Sequence, residues 1–285
     1  MRKLINDAKV YKNENGIIFF ETPEKEFSVL WFADAHMDNP KSELGFMHKT
    51  IKDNQNSYII FGGDNHDLMQ WKMDKRASYS AIKEEHKGDD YFNRVIHTTQ
   101  KEIIEPYKDR IICFTRGNHE TSITRKLNFD FFDFLLQGSN INCGDFSGYI
   151  NFRTKIDDKR QNSKLLYYQH APSTGGKRSK GMLSVDIMLG QRPSADIILS
   201  EHIHTTTIHP ETVEVVNRNF SLKEKLIWFI FAPTLKAEHK GRREGFYHEK
   251  VKAGTTTIGA IKLNFKYNKD NNLMYVKPEY ELMYN

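Results

Sequence analysis

Two cysteines in 285 residues set the first boundary. Cys113 and Cys143 are too few for a disulfide framework or a thiolate zinc cluster, and Cys113 sits inside an apolar run that reads as core. A reducing, intracellular compartment is the expectation. Long hydrophobic runs are missing as well. The longest strongly apolar stretch, residues 226–233, is far too short to span a bilayer, and residues 1–7 lack the apolar core of a signal peptide. These absences point to a cytoplasmic protein with no membrane partner. There is no P-loop, no fixed-period repeat, no low-complexity tract and no linker rich in Pro, Gly or Ser. That excludes P-loop nucleotide chemistry, solenoids and two tethered domains.

What is present is ordinary for a soluble globular protein: 38% apolar, 28% charged and 12% aromatic residues. The length suffices to bury one large core. A formal charge of +5 accommodates an anionic partner such as nucleic acid without requiring one.

Along the chain, β-rich runs at 16–21 and 27–32 read as a hairpin or as adjacent strands. A helix is expected over 42–53, with Ser42 and Glu43 capping its start. An apolar strand, 57–61, then runs into Gly62-Gly63-Asp64. Residues 74–110 read as mostly helical and broken near Gly88, with Asp90 capping the second half and Phe92, Val95, Ile96, Ile103 and Ile104 at helical spacing. A strand at 111–115, a helix through Phe129 to Leu136, strands at 146–156 and 165–169, a short amphipathic helix at 182–189 and a buried strand at 195–199 follow. The rest is β-rich, with residues 269–272 as a hairpin turn. Strands alternating with helices, then mostly strands, argue for one α/β domain over 1–285, its core about 27–235 and a β-rich extension at 236–285.

Five strand ends carry metal-ligand residue types: Asp34/His36, Asp64, Asn118/His119, His170 and His202/His204. Ligand-bearing residues at the carboxyl ends of strands are where open α/β sheets place their sites. Carboxylates, imidazoles and an amide oxygen together suit Mn, Fe or Zn, whereas Mg and Ca favour all-oxygen shells. Each segment alone has an ordinary reading. Asp-x-His and Gly-Asp recur by accident, Gly-Asn is a common turn, and a single histidine is usually a satisfied core or surface residue. Their joint occurrence, each after an apolar strand, is what coincidence does not supply.

The order Asp34-x-His36, Gly63-Asp64, Gly117-Asn118-His119-Glu120, His170, His202-x-His204 resembles the calcineurin-like metallophosphoesterase superfamily, and the stretch from His170 through the Gly-rich loop to Pro193-Ser194-Ala195-Asp196-Ile197 resembles its phage and bacterial members. The resemblance implies a four-layer sandwich of two mixed β-sheets flanked by helices, with two divalent ions at the strand tips. It implies Asp34, His36, Asp64 and His204 as ligands of the first ion. Asp64 bridges to the second, which Asn118, His170 and His202 complete. His119 takes the catalytic histidine's place, and Asp67 is either the carboxylate that orients it or a helix cap. The reaction implied is phosphoester hydrolysis, with a hydroxide shared by the ions attacking phosphorus in line. Mn is the leading choice of ion, with Fe, Zn or Mg as alternatives.

Two departures from the family pattern stand out. Glu201 occupies the position before His-x-His where the family usually has glycine, and it is read as pointing to solvent, with a contact behind the ligands or a reach toward the pocket as the alternative. Residues 116–120, Arg-Gly-Asn-His-Glu, match the phosphoprotein phosphatases, yet Leu68 stands where those enzymes have a phosphate-clamping arginine. The substrate expectation therefore leans to phosphodiesters, including nucleic acid or nucleotides; the alternatives are a phosphomonoesterase or phosphoprotein phosphatase, or a non-catalytic scaffold or nucleic-acid-binding module of the same fold. Candidate substrate contacts are Arg116, Lys177 and Arg178, with Lys180, Lys236, Lys240, Arg242 and Arg243 as further basic residues; a solvated charged loop is the plain alternative. Trp31, Trp71, Tyr91 and Trp228 read as core or rim.

Overall fold

The computed structural model describes residues 1–68, 79–157, 160–170, 191–192, 194–216, 220–237 and 257–284. The helix expected at 182–189, together with Trp71, Lys177, Arg178, Lys180, Lys240, Arg242 and Arg243, lies outside the described residues. In chain order the first strands are β1 (Arg2–Lys3), β2 (Lys9–Lys12), β3 (Ile18–Thr22), β4 (Glu26–Phe32), β5 (Tyr58–Phe61), β6 (Ile111–Thr115) and β7 (Asn142–Gly144). They are followed by β8 (Ser147–Lys155), β9 (Gln161–Gln169), β10 (Ile197–Ser200), β11 (Thr207–Val216), β12 (Leu222–Phe231), β13 (Gly259–Asn268) and β14 (Leu273–Leu282). The α-helices are α1 (Leu44–Asp53), α2 (Tyr91–Thr99), α3 (Glu105–Tyr107), α4 (Asn118–Leu127) and α5 (Phe131–Leu135).

Two mixed sheets result. One runs β1-β2-β3-β8-β9-β10-β12-β11 and the other β14-β13-β4-β5-β6-β7. In the six-stranded sheet β4, β5, β6 and β7 are mutually parallel, so their carboxyl ends emerge on one side. In the eight-stranded sheet β9, β10 and β12 are parallel and do the same. The near-continuous apolar runs of β4 and β5 are explained by burial on both faces. Val29, Trp31, Tyr58 and Ile60 join the core between the sheets, with Phe152, Leu166, Tyr168, Ile197 and Leu199 opposite. Leu30, Phe32, Ile59 and Phe61 face the other way, against Met47, Ile51, Val95, Ile123 and Phe132 of the helices. The hairpin β13–β14 pairs through β13 with β4 and extends the six-stranded sheet, so residues 259–282 are built into the sandwich.

Four local readings are corrected. The runs at 16–21 and 27–32 are not paired with each other: β3 pairs with β8 in one sheet and β4 with β5 in the other. The chain changes sheet at Pro23, and Phe20 and Phe27 meet across the core at 5.4 Å. Helix α1 starts at Leu44 without a side-chain cap, because the Ser42 hydroxyl donates to the Ala35 carbonyl instead. Before α2, residues 79–86 form two single 3₁₀ turns rather than a helix, drawn in by the Lys83 amide donating to the Asp38 carbonyl. Asp90 precedes α2 as expected, but its carboxylate accepts from the Asn93 side chain and caps no amide.

Candidate metal centre

The strand ends meet where the two sheets' parallel carboxyl tips come together. From the six-stranded sheet, the chain after β4 presents Asp34 and His36, the turn after β5 presents Asp64, and the start of α4 after β6 presents Asn118 and His119. From the eight-stranded sheet, β9 delivers His170 and β10 delivers His202 and His204. These turns depart from ordinary backbone. Among the described residues twelve non-glycine positions have positive φ, and five of them are Asp34, His36, Asp64, His202 and His204. Such conformations cost about 1–3 kcal/mol each and persist where the surrounding structure over-determines them, typically at functional sites.

Three groups of potential ligand atoms form among the described residues, His36, Asp67 and His119 being one, and two of them share a carboxylate. Of those two, Asp34, Asp64, His170 and His202 make one; Asp34, His36 and His204 make the other. His170 Nε2 lies 3.1 Å from Asp64 Oδ2 and 3.1 Å from Asn118 Oδ1, and His204 Nε2 lies 3.3 Å from Asp34 Oδ1. His202 is placed by its backbone, its amide donating to Asp34 Oδ2 at 3.1 Å, with Nδ1 4.0 Å from Asp64. The carboxylate common to both groups is Asp34, whereas the resemblance gives the bridging role to Asp64. All seven expected ligand residues are thus in one place, and Asp34, His36, Asp64, His170 and His204 are buried.

The donor set fits divalent cations. Nε2 of His36 is buried with no hydrogen-bond partner, because the other ring nitrogen is taken by Asp67 Oδ1 at 2.6 Å. A carboxylate accepts, so Nδ1 carries that proton and Nε2 presents a lone pair. Electrostatics agree. Burial works to raise the Asp34 carboxyl, yet His204 and His170 bring it down to about 2. Asp64 is likewise opposed by burial and is held well below the usual carboxylate range by His170 and His119. In return, burial opposes but Asp64 raises His170 well above the ordinary imidazole value. The protein holds protons on nitrogen where a cation would neutralise the carboxylates.

Around the ligands a second set of contacts fixes them. The Gly117 position admits no side chain, since a Cβ there would meet the Asp64 backbone and carboxylate. The His119 amide, at the start of α4, donates to Asp64 Oδ1 at 2.9 Å. Glu120 accepts from the Gly117 amide at 2.9 Å and the His66 amide at 3.1 Å; burial first, then Asp64, pushes its carboxyl up to about 8. His119 Nδ1 donates to the Asp67 carbonyl at 2.7 Å, leaving Nε2 3.7 Å from Asp64 Oδ2.

Asp67 therefore touches His119 chiefly through its main chain. Its carboxylate faces His36, Asn39 and the Lys236 ammonium, the last at 3.1 Å. Asp38 holds this turn by accepting from the Asp67 amide at 2.6 Å and the Leu68 amide at 3.0 Å. Asp38 and Asn39 match no ligand pattern in the sequence; their position just after His36 is the one signal they carry. Arg116 turns to Asp130 at 2.7 Å and Asp145 at 3.5 Å. Glu201 reverses the solvent reading: it is fully buried and accepts from Trp31 Nε1 at 2.5 Å and the Gly63 amide at 2.8 Å, with His170 Nδ1 at 3.2 Å.

Buried carboxylates and imidazoles on the tips of two packed mixed sheets, with a histidine alongside, define the site of a metal-dependent hydrolase. The family model for calcineurin-like phosphoesterases matches residues 27–206, more than half of the chain, and the protein belongs to that family. It is a metal-dependent phosphoesterase, of a family that uses two divalent ions. Three similar solved structures share 12% identity or less with this chain. Calcineurin-like phosphoesterase YfkN from Bacillus subtilis is 12% identical, with 91% of each chain covered and a TM-score of 0.42. GAP50, described as the anchor in the inner membrane complex of Plasmodium, is 11% identical, with 92% of this chain and 88% of that one covered and a TM-score of 0.46. Vps29 from Entamoeba histolytica, solved with zinc, is 10% identical, with 89% and 99% covered and a TM-score of 0.36. No match was found among curated proteins. Among the described residues no helix is long and apolar enough to cross a membrane.

Proposed function

We propose that the protein hydrolyses phosphodiesters, nucleic acid or nucleotides included, with Mn as the working ion. The observation that carries the hydrolytic part is the pair of ligand groups sharing Asp34, with His119 set beside them. Two bound divalent ions would polarise the phosphoryl oxygens and lower the pKa of the attacking water. Asp34, His36, Asp64 and His204 would hold one ion, and Asn118, His170 and His202, with a shared carboxylate, the other. His119, fixed through Nδ1 by the Asp67 carbonyl, aims Nε2 into the cluster. In its doubly protonated form it stabilises charge on the transferring group or gives its proton to the leaving oxygen. Asp67 keeps the His36 ring oriented, and Arg116 braces the loop before α4 through Asp130.

Two features support the diester lean. Leu68, where a phosphatase clamp would stand, is buried, and its amide is held by Asp38. A cleft of about 440 Å³ runs from Asn118 along Thr121, Ser122, Arg125 and Lys126, giving a flanking phosphate a basic wall beside the centre. The test is parallel hydrolysis of bis-nitrophenyl phosphate and nitrophenyl phosphate in Mn, Mg, Zn and EDTA. Diester cleavage in Mn that chelation abolishes is expected. A strict monoester preference would overturn the substrate reading and leave the hydrolase intact.

A further inference from the structure

We propose that Glu201 is a positioning residue for the metal centre, keeping His170 protonated at Nδ1 so that Nε2 is presented as a ligand. The inference rests on the dinuclear reading above, and it concerns the position at which this chain departs from the family's usual glycine. It begins with register. Strands β9 and β10 are parallel with Gln169 opposite Ser200, so the next residues, His170 and Glu201, leave the sheet side by side. Glu201 is further tied there by its amide donating to the Gln169 carbonyl at 3.1 Å.

Three donors converge on this one carboxylate. Oε1 accepts from the Trp31 indole at 2.5 Å, and Oε2 accepts from the Gly63 amide at 2.8 Å. Both of these groups can only donate. Oε2 also faces His170 Nδ1 at 3.2 Å. An ionised carboxylate has acceptor sites for all three, so the imidazole completes the arrangement by placing a proton on Nδ1. The opposite ring nitrogen is the one that faces Asp64 and Asn118. Carboxylates that hold a ligating histidine in this way fix its tautomer and raise its basicity toward a metal.

The space for this arrangement is made by the two glycines after β5. A Cβ on Gly62 would collide with the Glu201 carboxylate, and one on Gly63 would come within 2.5 Å of His170 Nδ1. Glutamine substitutes only in part, since it carries no charge to hold a proton on His170. Its amide has one acceptor oxygen, so at least one of the three donors would face an NH₂ group. Trp31 lies on β4 and Gly63 follows β5, both of the six-stranded sheet, while Glu201 follows β10 of the other. The same residue therefore also braces one sheet against the other, and a test has to separate the brace from the tautomer.

The full-length protein would be titrated with Zn²⁺ by calorimetry as wild type, Glu201→Gln and Trp31→Phe. Histidine ¹H–¹⁵N spectra of the Zn²⁺-loaded forms would report the His170 Nδ1 proton. Trp31→Phe removes the indole part of the brace and leaves the contacts to Gly63 and His170. Glu201→Gln is expected to weaken one of two Zn²⁺ ions by about 10–100-fold and to lose the protected His170 Nδ1–H signal, with Trp31→Phe close to wild type in both. Wild-type affinity and an intact Nδ1–H signal in Glu201→Gln would overturn the proposal, as would equal weakening in Trp31→Phe. Should Glu201→Gln fail to fold, Glu201→Asp, which keeps the charge but draws it back by one methylene, carries the same comparison. Should Trp31→Phe fail to fold, the Nδ1–H signal of the Glu201 variant decides. A wild type that binds no Zn²⁺ would overturn the dinuclear reading itself; two tight ions in both wild type and Glu201→Gln would defeat this inference alone.

Discussion

The two sheets contribute unlike halves to one site. The six-stranded sheet supplies Asp34, Asp64 and Asn118, with His36 as its one expected imidazole ligand; the eight-stranded sheet supplies His170, His202 and His204. The oxygen-rich half is assembled by short-range main-chain contacts. The Asp34 amide donates to the Gly63 carbonyl and the His36 amide to the Asp64 carbonyl, each at 3.0 Å. The nitrogen-rich half has to be brought to it across the seam, by the His202 amide on Asp34 and by Glu201 on Gly63 and Trp31. Each half also has an imidazole held by a carboxylate, Asp67 on His36 and Glu201 on His170. Parallel strands fix where a ligand emerges, but the distance between halves is set by a few polar side chains, and these are where the site is most easily broken without touching a ligand.

The severest break is expected at Asp34, the carboxylate that the two ligand groups share. Asp34→Asn keeps the shape and removes the charge. Both ions and all measurable hydrolysis should be lost, checked by metal analysis and by assay on bis-nitrophenyl phosphate. If one ion stayed bound at wild-type affinity, the halves would be independent sites and not one centre.

A smaller effect is expected on the catalytic side of the oxygen-rich half. His119→Ala should lower kcat by about 10²–10⁴, the usual share of a positioned acid or base, while leaving metal stoichiometry unchanged. Unaltered turnover would remove this histidine from the mechanism, and loss of metal would make it a ligand through the group it forms with His36 and Asp67.

The same contrast marks what was legible in the sequence. Strand tips could be read because apolar runs such as 57–61 stop abruptly at Gly62-Gly63-Asp64, and parallel strands point their carboxyl ends one way. The two-sheet sandwich followed from the family resemblance, and the turn at 269–272 from its polar composition. What could not be read was pairing across sequence distance. Whether β3 joins β4 or β8 depends on the chain crossing between sheets at Pro23, which leaves no periodic signal. Glu201 looked like a solvent-facing charge because its three donors, Trp31, Gly63 and His170, are scattered along the chain and meet only when the sheets pack. Asp67 was linked to His119, and the link runs through its carbonyl, which a residue type does not reveal.

The mildest test of the two halves is pH, since they hold their protons differently. In the metal-free protein His204 and His170 keep Asp34 near 2 against the cost of burial, and Asp64 lies well below its ordinary value, so both are already ionised above about pH 4. They exchange no protons on metal binding between pH 5 and 8. His170 is the opposite case: against burial, Asp64 raises it well above the usual imidazole value, so it holds its second proton to higher pH than an ordinary histidine. A cation at Nε2 has to displace that proton, and its apparent affinity must therefore rise with pH. One proton released corresponds to at most about tenfold per pH unit, flattening once the pH passes the raised value of His170. Calorimetric titrations with Zn²⁺ at several pH values, in buffers of different ionisation heat, would give both the slope and the proton count. An affinity that fell as pH rose would mean that the two halves do not share their charge in this way.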